Sequence, residues 1–167
     1  MRHLVFLLVT CTAVGFAQAP ETARATLQDA QGMVVGTATL TETPHGVLIR
    51  VTLSGVPAGA HAVHVHANGV CEAPFTSAGG HLNPAARQHG IENPMGMHAG
   101  DMPNIQVGSD GALAFEVLNP AVTLRPGVNS LFKEGGTALV LHGGADDHTS
   151  DPAGNAGPRI ACGVVTH

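Results

Sequence analysis

The chain has 167 residues, with seven Lys and Arg against twelve Asp and Glu, eleven His, and no Trp or Tyr. A net charge of −5 without a basic stripe excludes a nucleic-acid binder. The length suits one domain with a real core, and no internal repeat or second domain is visible.

The first residues read as an export signal. Arg2 and His3 precede an apolar run from Leu4 to Val9, and small residues follow at Ala13, Gly15, Ala17 and Ala19. Cleavage is expected after Ala17 or Ala19, so residues 1–19 are the signal and 20–167 the mature domain. The apolar run is far short of the roughly 20 residues of a spanning helix, which excludes a transmembrane anchor. Cys11 admits a lipoprotein as the alternative, although Thr10 is a poor residue to precede it.

Short runs of Val, Leu, Ile and Thr, broken by Gly, Pro, Asn and Asp, then predict eight strands. They span residues 22–29, 33–40, 47–53, 62–67, 105–108, 112–118, 137–142 and 160–165. Gln31-Gly32 and Pro44-His45-Gly46 supply turns, and Ser109-Asp110-Gly111 reads as a hairpin tip. Eight short strands with little helix predict an all-β sandwich or barrel. Two connections, 68–103 and 143–158, are too long for simple turns and are expected to be functional. Neither shows an apolar stripe to anchor it, so a metal and a disulfide are expected to order them. Cys71 and Cys162 remain after export, which favours pairing over two buried thiols. The bond would close a loop of about 90 residues, worth roughly 4–5 kcal/mol in the chain-entropy account.

The histidines carry the chemistry. His64 and His66 lie two apart on a strand, so their rings share one face about 6.6 Å apart. Val63 and Val65 then face the core. His81, His89, His98 and Asp101 lie in one Gly/Pro-rich loop, and three imidazoles with one carboxylate make a closed four-coordinate set suited to zinc. His142 ends an apolar strand; alone it would read as a core histidine.

These residues resemble the copper/zinc superoxide dismutase family. The resemblance rests on HVH at His64–His66, Cys71, AGGHLNP from Ala78, HG at His89 and HAGDMPN from His98. It continues with LVLHGGADD from Leu139 and GNAGPRIACGVV from Gly154. It implies an eight-stranded antiparallel Greek-key fold with two long functional loops. It implies one copper per subunit on His64, His66, His81 and His142, and one zinc on His81, His89, His98 and Asp101, with His81 shared. Asp146 would hold one histidine of each set, Arg159 would attract and orient the anion, and Cys71–Cys162 would be the internal disulfide. The implied reaction turns one superoxide into dioxygen and a second, with two protons, into hydrogen peroxide, with His81 carrying a proton and zinc ordering the loop. The expected location is the periplasm or cell envelope; homodimer and monomer stay open.

Two departures stand out. The second loop reads Thr149-Ser150-Asp151-Pro152-Ala153, without the lysine that relatives often carry, and Lys133 is the chain's single lysine. Arg159 is therefore expected to be nearly the sole positive guide, and steering by charge to be weak. His148, Met95 and Met97 are additional soft or borderline metal donors nearby, expected to be surface residues. An exported metal carrier on the same scaffold is the rival reading, and Arg159 argues against it.

Overall fold

The computed structural model describes residues 21–167; the expected signal segment and Cys11 lie outside them. Nine strands follow in order: β1 (Thr22–Asp29), β2 (Val34–Thr43), β3 (Gly46–Leu53), β4 (Gly59–His61), β5 (Val63–His66), β6 (Ile105–Val107), β7 (Leu113–Asn119), β8 (Ala138–His142) and β9 (Arg159–Val164). One short 3-10 turn, Thr76–Ala78, interrupts the first long loop. Among the described residues no helix is long and apolar enough to cross a membrane.

Seven strands form an antiparallel sheet in the order β5-β8-β9-β1-β2-β3-β7. Strict alternation builds its inner face. Ala25 pairs with Ala38 and Ala38 with Val51, while Leu40 pairs with Ile49, and all of these are buried. The remaining two strands, β4 and β6, pair with each other. β4 runs into β5 through Ala62, and β6 runs into β7 through the Gly108–Gly111 turn. This ribbon therefore links the two rims of the long sheet through the chain and curls it around one core.

Three expectations need correction. The strand expected at 62–67 is β5 alone, and an unforeseen strand, β4, precedes it, because Ala62 leaves the ladder to exchange backbone hydrogen bonds with His142 and Gly144. That raises the count from eight to nine. The expected hairpin has its turn but not its ladder: β7 makes seven residue pairs with β3, and β6 makes three with β4. The long edge of β3 offers β7 more backbone partners than three-residue β6 can. A third long connection, residues 120–137, also escaped the sequence reading. It buries Val122, Leu124 and Leu131, and the carboxylate of Glu42 accepts from the Leu124 N–H at 2.6 Å and the Thr123 hydroxyl at 3.0 Å.

The first long loop does have apolar anchors. Leu82 and Met102 enter the main core. Phe75 and Ala78 form a second cluster with Ala138, Val140 and Cys162 on the outer face of β8 and β9. The disulfide Cys71–Cys162 lies beside that cluster and spans 91 residues of sequence. Sparse single anchors escape a search for periodic stripes, because a loop that crosses a sheet touches it at isolated points.

Candidate metal centre

A small backbone knot positions the site. On β5, the N–H of Val65 donates to the carbonyl of Gly100, and the carbonyl of Val65 accepts from the N–H of Leu82. The N–H of Gly100 closes the triangle onto Leu82 at 2.9 Å. A side chain on Gly100 would run into the Val65 carbonyl, so glycine is required there. Each member of the knot neighbours a candidate ligand: His64 and His66, His81, and Asp101. Asn119 supports the knot from the end of β7 by donating to the Ala99 carbonyl at 2.9 Å.

Two sets of donors result. His64, His66, His81 and His142 bring one ring nitrogen each to within 4.8 Å of one another, and His81, His89, His98 and Asp101 do the same with their own donor atoms. All seven residues are buried. The outer face of β5 and β8 is therefore not a solvated polar face; the loops cover it. His148, by contrast, is mostly shielded rather than a surface residue, and Met95 is exposed.

Hydrogen bonds decide which nitrogens keep lone pairs. Asp146, 4 % exposed, accepts from His64 Nε2 at 2.8 Å through one oxygen and from His89 Nε2 at 2.9 Å through the other. Both rings therefore present bare Nδ1 atoms inward. His66 Nδ1 donates to the Gly79 carbonyl at 2.9 Å and leaves Nε2 bare, 3.4 Å from His142 Nε2. His98 Nε2 donates to the Arg87 carbonyl at 3.1 Å, so its Nδ1 faces His81 Nδ1 at 3.4 Å.

The second set is a direct test of fit. His81 Nδ1, His89 Nδ1 and His98 Nδ1 lie 2.8, 3.0 and 3.4 Å from Asp101 Oδ1. The bare nitrogen of His89 facing a carboxylate oxygen at 3.0 Å is repulsive without a cation between them. A tetrahedral zinc about 2.0–2.1 Å from each donor would space them by about 3.3 Å, close to the separations seen. In the first set His64 Nδ1 and His81 Nε2 are buried with no hydrogen-bond partner. The donors of both sets fit cations. His81 alone belongs to both, through opposite sides of one ring.

Electrostatics follow the same logic. Burial, aided by repulsion from neighbouring rings, lowers His66 to about 2 and His142 to about 3. Burial also lowers His81 to about 4, although Asp101 pulls it back up. These rings stay neutral and available as ligands across the physiological range. Burial pushes Asp101 and Asp146 up, but hydrogen bonds from the histidines and from backbone N–H groups outweigh it and hold both well below the usual carboxylate range.

Arg159 opens β9. Its guanidinium donates to the carbonyls of Phe75 at 2.5 Å and Gly79 at 2.6 Å, and burial lowers its pKa. Gly79 is also the acceptor of His66, so the arginine lies beside the first set. The residues the sequence reading missed are Asn104, Asn119 and Gly100. Asn104 and Gly100 stand inside the HAGDMPN run, which was a usable signal; Asn119 had none, because its partner is 20 residues away.

Comparisons with known proteins agree with this geometry. The family model for copper/zinc superoxide dismutase (SODC) matches residues 34–165. The chain is 56% identical over 146 residues to superoxide dismutase [Cu-Zn] 2 of Aquifex aeolicus, covering 86% of this chain and 85% of that one. A superoxide dismutase-like protein from Bacillus subtilis superposes with a TM-score of 0.81 at 34% identity, covering 84% of this chain and 96% of that one. The Brucella abortus copper/zinc superoxide dismutase gives 0.71 at 28%, covering 86% and 99%. By family model, sequence and fold together, the chain belongs to the copper/zinc superoxide dismutase family.

Proposed function

We propose that the chain is an exported superoxide dismutase in which His64, His66, His81 and His142 hold copper and His81, His89, His98 and Asp101 hold zinc. The observation that carries this reading is His81, whose two ring nitrogens face the two donor sets. Copper, when bound, supplies the one-electron exchange that converts one superoxide to dioxygen and a second, with two protons, to hydrogen peroxide.

The chain's own residues do the rest. Arg159 keeps a fixed positive charge beside the first set and binds the anion. His81 Nε2 is the atom placed to hold a proton for the peroxide product, because it faces the first set and makes no hydrogen bond within the protein. Asp101 holds the other side of the same ring, and Asp146 fixes the tautomers of His64 and His89. The amino-terminal signal pattern and the disulfide support work outside the cytoplasm, where such bonds persist.

The test is metal analysis beside a superoxide-decay assay, with His142→Ala as the control. This variant should lose copper and activity and keep zinc. Loss of zinc alone with activity retained would overturn the assignment. With one lysine in the chain and Asp147 and Asp151 in the second loop, added salt should slow the wild-type reaction only slightly. A steep fall with salt would point to basic residues guiding the anion.

A further inference from the structure

Asp146 bonds one ring of each donor set without belonging to either, yet it stands in a loop of Gly, Ala and Asp with little apolar anchorage. Something must hold it, and the structure shows what does. The side-chain oxygen of Asn104 accepts from the Asp146 N–H at 2.8 Å, and the side-chain nitrogen of Asn104 donates to the Asp146 carbonyl at 2.8 Å. One amide thus grips both backbone groups of a single residue 42 positions away. The second hydrogen of that amide points to His148 Nε2 at 3.2 Å.

That contact fixes the tautomer of His148. Nε2 accepts from Asn104, so the proton sits on Nδ1. This Nδ1 is buried with no hydrogen-bond partner, and its nearest carboxylate oxygen is Asp146 Oδ1, 3.6 Å away. The backbone N–H of His148 also donates to Asp146 Oδ1 at 2.6 Å. His148 therefore approaches the same oxygen from its backbone and its ring.

We propose that Asn104 is a positioning residue for both metal sets, acting through Asp146, and that His148 completes its grip. The Asn104 side chain hydrogen-bonds to Asp146 and His148 and to none of the seven donor residues. It fixes the backbone from which the Asp146 carboxylate reaches His64 and His89, and that carboxylate determines which nitrogen each ring presents inward. The inference rests on the two donor sets being metal sites.

The test uses the full mature chain. Zinc affinity is measured on metal-free protein by competition with a chromophoric chelator, and the visible and electron paramagnetic resonance spectra are recorded on protein loaded with copper and zinc. Asn104→Ala should weaken zinc binding by about tenfold, as loss of an outer partner of a ligand does. It should also alter the copper spectrum, because His64 and His89 share the displaced carboxylate. Asn104→Asp keeps the acceptor for the Asp146 N–H but cannot donate to its carbonyl, so it should be no better than alanine. His148→Ala should give a loss smaller than tenfold. Asn104 variants that bind zinc within twofold of wild type and keep its copper spectrum would overturn the inference, even if they melt at lower temperature. Wild-type protein that binds no zinc would instead defeat the metal reading itself, so the two failures are distinguishable.

Discussion

The two halves of the long sheet treat their outer faces differently. Along β1 the residues alternate between exposed and buried, so Arg24 and Thr26 meet water while Ala25 and Leu27 enter the core. The facing residues of β2 and β3 continue this surface with Thr39 and Arg50. In β5 and β8 every residue is buried, on both faces. There the inner face carries Val63, Val65, Leu139 and Leu141, and the outer face carries His64, His66, Val140 and His142 beneath the loops. The first half needs only its own core to hold it. The second half buries polar rings whose lone pairs the protein alone leaves unmatched, so its order depends on a covering loop and on cations. Stability and function are thus drawn from different halves of one sheet.

Four measurements would break or sharpen that contrast. Acid should act first and most strongly on the histidine half. In metal-free protein His66, His81 and His142 stay neutral when folded but titrate near 6.5 when unfolded. Their folded pKa values are lowered, so the unfolded chain binds more protons as pH falls below about 6.5. Stability present above that pH is therefore lost on acidification; the share of His81 is exhausted at about pH 4, and those of His142 and His66 at about 3 and about 2. The three rings together set an upper slope of about 4 kcal/mol per pH unit. Denaturant midpoints that stay flat between pH 6.5 and 4.5 would contradict the burial of these rings as neutral groups.

Opening the staple should come next. Cys71→Ser should cost about 2–5 kcal/mol. Hydrogen exchange should then rise in the first long loop and β5 while β1, β2 and β3 keep their protection. Uniform loosening of the whole chain would remove the distinction between the halves. In the self-sufficient half, Ile49→Ala should also cost about 2–5 kcal/mol, because Ile49 is fully buried. Chemical denaturation should show that cost unchanged by metal loading; a cost that shrinks on adding metal would show the halves to be coupled. The smallest effect belongs to the exposed face: Thr39→Ala should shift stability by less than about 0.5 kcal/mol.

The same contrast explains what the sequence made legible. Alternation of period two marked β1, β2, β3 and β7 to within three residues, because one face of each meets a core and the other meets water or a groove. It failed at β4, whose three residues are too few to show a period. It also missed the 120–137 connection, where single leucines act as plugs. The donor residues were legible because histidine is costly to bury and rarely gathers by chance; the structure brings all seven of them into two groups. What the sequence concealed was the support. Asn104, Asn119 and the backbone triangle of Val65, Leu82 and Gly100 act through ordinary amides, and no residue type announces such a role. The HAGDMPN run marked Asn104 and Gly100 without saying what they hold, because their partners lie far along the chain or on the main chain itself.

One oxygen atom described above reaches further than its size suggests. The Gly79 carbonyl receives both His66 and Arg159, and it stands in the loop segment that Cys71 ties to β9. A thiol reagent that cut that tie would disturb the orientation of His66 and of Arg159 in a single stroke. The redox state of the surroundings would then act as a throttle on catalysis, set without any change in the metals themselves.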